Sequence, residues 1–183
     1  MALTLLDKKS TGLVVVDMQE GLMKVMARRA EVLDQTVKLL HLVRVFSLPV
    51  IVTEQYPQRI GQTVPMLREL LPAYAPVAKV EFNSCEVALF NERLAAAQLT
   101  DLILVGVEAH ICVFQTCVAL LKRGYRVHVP QDAVASRAED NRRVGLDLMK
   151  EAGAVISSAE CLIFQILKKA GTPEFKQLIT VIK

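Results

Sequence analysis

Three residues of this 183-residue chain have types and positions that suit nucleophilic chemistry. Asp17 ends the run "VVVD", Lys79 sits inside "VAKVEF", and Cys112 closes "VGVEAHIC". A carboxylate can serve as base, an ammonium can favour thiolate, and a thiol in the first turn of a helix sees the positive end of the dipole and unpaired N–H groups. Together they are the parts for acyl transfer to a cysteine. Each also has a plainer reading: Asp17 as a helix or turn cap, Lys79 as protection on an edge strand, Cys112 as a buried inert thiol. Against the first of these, an ionised carboxylate buried beside three valines costs several kcal/mol unless paired. Lys79 is its natural partner. Cys85, Cys117 and Cys161 have no acid or base beside them in helical runs, and are read as inert and buried.

The elements that must position these groups are short β-branched runs at 12–17, 49–54, 77–82, 101–107, 126–131 and 154–158. Helical periodicity fills most of the intervals, as in 31–46, where Val32, Leu33, Val37, Leu40, Val43 and Phe46 share a face. Asn83 with Glu86, Ser136 with Glu139, and Ser157 with Glu160 have the spacing of capping boxes, and Thr172–Pro173 opens a last helix. Gly124 and Gly153 are placed to end helices. Strands alternating with helices predict a parallel sheet covered on both faces, with right-handed crossovers. Ligands of such sheets bind beyond the strands' carboxyl ends, where strand order reverses. Asp17, Glu54, Lys79 and the segment from Glu108 to Cys112 all fall at strand ends.

Length and composition predict one domain over 1–183, with no repeat, linker or low-complexity tract. The chain is 52% hydrophobic with a formal net charge of +3, and its basic residues are dispersed without aromatic interleaving, which disfavours nucleic acid as a partner. No run approaches the roughly 18 apolar residues of a membrane span, and the short apolar start does not read as a signal peptide. The expected location is the cytoplasm, with the four cysteines as free thiols. Their spacing with the three histidines gives neither a redox pair nor a metal set. The mean hydropathy of +0.36 favours association into a homo-oligomer.

Taken in order and spacing, "VVVDMQE", "VTEQYPQRIGQTVPML", "AKVEFNS", "VGVEAHIC" and "ASRAEDNRRVGLDLMKEAGA" resemble the isochorismatase-like hydrolases, and in particular their small cysteine-containing branch. The resemblance spans about residues 11–168. It implies a Rossmann-like three-layer α/β/α sandwich with a six-stranded parallel sheet ordered 3-2-1-4-5-6. It also implies an Asp17–Lys79–Cys112 triad, a cis peptide between Val107 and Glu108, and an oxyanion hole from the N–H groups of Glu108 and Cys112. Association into oligomers is common in the family.

The activity so implied is hydrolysis of a small-molecule amide or ester through a thioester, without cofactor or metal. Gln19, Tyr56, Phe82 and Phe114 are candidate pocket walls by closeness in sequence, with core packing as the alternative for the two phenylalanines. His110 is expected to point away from substrate, and His41 and His128 to be structural. The chain lacks the Asp-x-His metal signature of the family's nicotinamidases, having no histidine between 42 and 109. Ala109 stands where threonine is frequent, and His110 where an acidic residue is, which leaves the substrate open. Two other classes stay open beside the hydrolase: a non-catalytic binding or assembly protein, and a thiol-redox protein, for which Cys117 is poorly placed as resolving partner.

Overall fold

The computed structural model describes residues 4–182. Seven strand segments are present among them: β1 (Thr11–Val16), β2 (Val50–Gln55), β3 (Val77–Lys79), β4 (Asp101–Val107), β5 (Arg126–Pro130), β6 (Val134–Ala135) and β7 (Val155–Ser157). All pairings are parallel, in the order β3-β2-β1-β4-β5-β7. The expected six lanes are there, but the fifth is broken. Pro130 ends β5, and after three intervening residues β6 rejoins β4, through Gly106↔Val134 and Val107↔Ala135.

Period-two alternation divides the strand residues between two apolar layers. Leu13, Val15, Ile103 and Val105 pack with helices Arg29–Phe46, Ala159–Leu167 and Pro173–Ile182, through Val32, Leu40, Leu162 and Leu178. Val14, Val16, Leu102 and Leu104 face helices Ala88–Ala96, Phe114–Lys122 and Glu139–Glu151, through Phe90, Leu120 and Met149. Both faces are thus dry, as a parallel sheet requires. No helix among the described residues is long and apolar enough to cross a membrane.

Several local expectations need correction. β3 stops at Lys79, and Val80 and Phe82 beyond it are exposed. Ser136 does not cap a helix: the helix starts at Glu139 after Ala138, and Ser136 is fully buried with its hydroxyl on His110. The cap expected at Ser157 is Ser158, whose side chain accepts from the Cys161 N–H. Cys161 is exposed, not buried. Asn83 does cap, by accepting from the Cys85 N–H at 3.0 Å, but it opens a 3-10 turn, Ser84–Glu86. Thr172 accepts from the Phe175 N–H at the start of the last helix. His128 is structural: it meets Asp101 Oδ1 at 3.2 Å at the start of β4, and burial lowers its pKa.

Gly106 carries the closest approach in the sheet. Its φ is +126°, and a Cβ there would lie 2.0 Å from the Val16 carbonyl oxygen, a backbone atom that cannot turn aside. Gly106→Ala is therefore expected to cost more than about 2 kcal/mol. Urea unfolding would show this as a lower midpoint at unchanged slope. An alanine tolerated without loss would mean that β1 and β4 are not held at this spacing.

Candidate active site

Strand order reverses between β1 and β4, so the segments after Val16 and after Val107 leave the sheet side by side. Asp17 follows β1 and Cys112 follows β4, which brings them together at this switch point. Asp17 has φ +53°, a left-handed conformation that costs an L-residue about 1 kcal/mol or more and is less costly for Asp and Asn than for most. It turns the chain sharply, and the Asp17 N–H still reaches the Thr53 carbonyl at 3.2 Å.

Lys79 lies two lanes away on the edge strand β3, so its side chain must cross β2 to reach Asp17. β2 supplies the residues beneath that crossing. Thr53 and Gln55 lie on one face of β2 and Glu54 on the other. The Thr53 hydroxyl donates to Asp17 Oδ1 at 2.6 Å, and Lys79 Nζ donates to Asp17 Oδ2 at 2.6 Å. Nζ also donates to Gln55 Oε1 at 2.6 Å and to the Glu81 carbonyl at 3.2 Å. All three ammonium protons are used, and both side chains of the ion pair are fully buried. Lys79 is on an edge strand, but the edge-protection reading does not describe it, since its charge is turned inward.

After β4 the Val107–Glu108 peptide is cis, and a π-helical turn, Ala109–Val113, leads into helix Phe114–Lys122. The Glu108 carbonyl accepts from the N–H groups of Ile111 at 3.0 Å and Val113 at 3.2 Å. Cys112 is only 6% exposed. Burial is the main cause pushing its thiol up to about 12; the Asp17 charge and an Asp17 side-chain hydrogen bond raise it further. The Lys79 charge and the Glu108 N–H act in the opposite direction. The expected thiolate-favouring position is thus overruled by desolvation, and the resting thiol is protonated. Cys85, pushed to about 11, and Cys117, pushed to about 12, are raised by burial too. What sets Cys112 apart is its neighbours: a carboxylate, an ammonium and a backbone N–H.

A pH dependence follows from the sign of this shift. Iodoacetamide alkylation of Cys112 should rise about tenfold per pH unit from pH 7 to 10 without levelling, because the thiol titrates above that range. Peptide mass spectrometry against pH would measure it. A plateau near pH 8 would contradict the buried, protonated thiol.

Other sequence-selected residues fall outside this set. Gln19 is not a pocket wall. It is fully buried, donates to the carbonyls of Gln55 at 2.9 Å and Gly61 at 2.6 Å, and accepts from the Gln55 N–H at 2.7 Å, so it staples the end of β2 to the turn at Gly61. Glu54, on the opposite face of β2, accepts from the Thr63 N–H at 2.6 Å, the Thr63 hydroxyl and the Tyr74 hydroxyl. Tyr56 and Phe82 are exposed and Phe114 is half-buried. His110 is held sideways, with Nδ1 2.9 Å from Ser136 Oγ.

The residues that sequence reasoning missed are Thr53 and Gln55, Ser136 and Arg137, and Gly145. A Cβ on Gly145 would lie 2.7 Å from the Ala109 carbonyl oxygen, so the glycine lets helix Glu139–Glu151 pack directly on the nucleophile turn. A cleft of about 930 Å³ between that helix, β5 and β7 contains none of Asp17, Lys79 or Cys112. It is set apart from this chemistry. Among the described residues no cluster of three or more His, Cys, Asp or Glu side chains is arranged to hold a metal ion.

A parallel sheet in this order, with helices on both faces, is the fold of the cysteine hydrolases related to isochorismatase. The chain belongs to the isochorismatase family: the model of the isochorismatase domain matches residues 11–161. It is 38% identical over 174 residues to isochorismatase domain-containing protein 2 of Bos taurus, covering 95% of this chain and 83% of the relative. It is 36% identical to the secreted isochorismatase effector Isc1 of Phytophthora sojae, covering 95% and 85%.

Among solved structures, the MAR1 ribonuclease of Caenorhabditis elegans superposes with a TM-score of 0.92 at 35% identity, covering 98% of this chain and 92% of that one. The Escherichia coli YcaC product, an octameric hydrolase of unknown specificity, gives 0.93 at 24% identity, covering 100% and 91%. Family and fold support a hydrolase-type function.

Proposed function

We propose that this chain hydrolyses a small amide or ester through a thioester on Cys112, with Asp17 as base. The observation that carries this reading is the buried Asp17 carboxylate, held by Lys79 and Thr53 and near enough to Cys112 for its charge to raise that thiol. As sulfur attacks the substrate carbonyl carbon, Asp17 takes the thiol proton, so thiolate need not exist beforehand. The tetrahedral oxyanion is received by the N–H groups of Glu108 and Cys112. Its collapse expels the amine or alkoxide, which takes the proton from Asp17 and leaves a thioester. Asp17 then deprotonates water, the hydroxide adds to the thioester carbonyl, and the acid departs as Cys112 regains its proton.

Lys79 remains an ammonium throughout and offsets the negative charge as it moves between carboxylate and sulfur. Tyr56, Phe82 and Phe114 are the pocket walls in this reading. Exposed Tyr56, Val80 and Phe82 together leave apolar surface at the sheet's carboxyl edge, and the octameric YcaC has the same fold. We therefore place the chain in a homo-oligomer. We place it in the cytoplasm on its four unpaired cysteines, although the secreted Phytophthora relative shows that the family is not confined there.

RNA cleavage is the second reading, favoured by the name of the C. elegans relative. The buried set is ill suited to it, because Lys79 has no donor left for a phosphate and Asp17 is closed off from a polynucleotide. A panel of short amides and 4-nitrophenyl esters, run beside single-stranded RNA with wild type and Asp17→Asn, separates the two. Ester or amide turnover that falls at least about a hundredfold in the variant supports the hydrolase. RNA cleavage with no turnover of any acyl compound would overturn it.

A further inference from the structure

The nucleophile turn is strapped from the side by the segment that follows β6. The Gly106 N–H donates to the Ala133 carbonyl at 3.1 Å, and the pairing runs through Val107↔Ala135. Beyond it, Ser136 Oγ meets His110 Nδ1. Arg137 then takes hold of Glu108 from two directions, its backbone N–H donating to Oε2 at 3.0 Å and its Nε donating to the same oxygen at 3.2 Å. Glu108 is 8% exposed, and its carbonyl, on the other side of its Cα, accepts from the N–H groups of Ile111 and Val113 that flank Cys112.

We propose that Glu108 and Arg137 form a positioning pair that aims the Glu108 N–H at the oxyanion formed on Cys112. The carboxylate and the N–H belong to one residue, on either side of one Cα. Two donors on one carboxylate oxygen, together with the Ile111 and Val113 N–H groups on the Glu108 carbonyl, hold the residue on both sides of its Cα and limit the rotation by which its N–H would swing away. Neither side chain touches the substrate: their effect passes through the peptide. The helix side reinforces the strap, since Gly145 lets the neighbouring helix abut Ala109. Charge-assisted hydrogen bonds of this kind are stronger than neutral ones, which suits a device for holding orientation.

This proposal rests on the Cys112 nucleophile reading, and the test keeps the two apart. Cys112 is acylated with 4-nitrophenyl acetate and, separately, alkylated with iodoacetamide, each followed on its own peptide. In the first, the C–S bond forms while the carbonyl π electrons move onto oxygen, creating the oxyanion; nitrophenolate then leaves. In the second, C–S forms as C–I breaks, iodide leaves, and no oxyanion appears. Both rates depend on ionisation of the same thiol, so their ratio reports stabilisation of the oxyanion.

The expected result is a ratio lowered about tenfold in Glu108→Ala and about threefold in Arg137→Ala, which keeps the backbone donor. Glu108→Gln, whose amide oxygen still accepts from Arg137, should return to within about twofold of wild type. Rates that fall together at constant ratio would overturn the proposal, as a merely structural role would produce. If Glu108→Ala does not fold, Arg137→Ala decides alone. A wild-type Cys112 that takes neither reagent would overturn the nucleophile reading and the positioning role with it.

Discussion

Cys112→Ser is expected to lower turnover of any acyl substrate by about a thousandfold or more, while leaving the protein folded. The exchange is nearly isosteric, and the serine hydroxyl can still hydrogen-bond to Asp17. The lost rate comes from the nucleophile itself: an alkoxide is far harder to form than a thiolate beside a carboxylate base. Steady-state kinetics would show kcat falling with KM little changed. The distinguishing control is Cys117→Ser, which removes a fully buried thiol five residues on and should cost stability rather than rate. Equal losses of kcat in the two variants would contradict a special role for Cys112.

Lys79→Met should be the most destabilising exchange in the site, by about 3–5 kcal/mol at neutral pH. It strips the partner from an Asp17 carboxylate that is fully buried, leaving the Thr53 hydroxyl and the neighbouring Cys112 thiol beside the charge. Gln55 would also lose the ammonium to which its Oε1 is bonded. The double variant Asp17→Asn with Lys79→Met removes both charges, so it should recover most of that stability while remaining inactive. Chemical denaturation of the four proteins closes a double-mutant cycle. A double variant no more stable than Lys79→Met would mean that the lysine's contribution is packing rather than charge.

What could be read from the sequence was whatever depends on near neighbours. β4 shows plainly in Asp101–Val107, an apolar run with a glycine, and its bounds are those expected. Asp17, Lys79 and Cys112 stand out because a charge or a thiol at the end of an apolar run is unusual, and the ion pair bridges 62 positions of sequence. The supporting residues have no such signal. Thr53 and Gln55 are ordinary strand residues until Asp17, 36 positions away, and Lys79 fold against them.

Arg137 and Ser136 were hidden for a further reason. Their spacing to Glu139 imitates a helix start, whereas the structure uses them to grip a turn 29 and 26 positions earlier. The ionisation of Cys112 is not legible in the sequence, because a helix N-terminus is visible there and depth of burial is not. At 6% exposure the desolvation wins. Closeness to Asp17 points to Gln19 as a pocket wall, but its side chain is taken up by the backbone of Gln55 and Gly61.

The central claim, that Cys112 carries the acyl group, is tested most directly by rapid-quench peptide mass spectrometry with an acyl substrate from the panel. A thioester on the Cys112 peptide should appear within the first turnover and decay as acid is released, and Asp17→Asn should form it far more slowly. Hydrolysis proceeding with no acyl group on Cys112, or with the group on Cys85, Cys117 or Cys161 instead, would contradict the account.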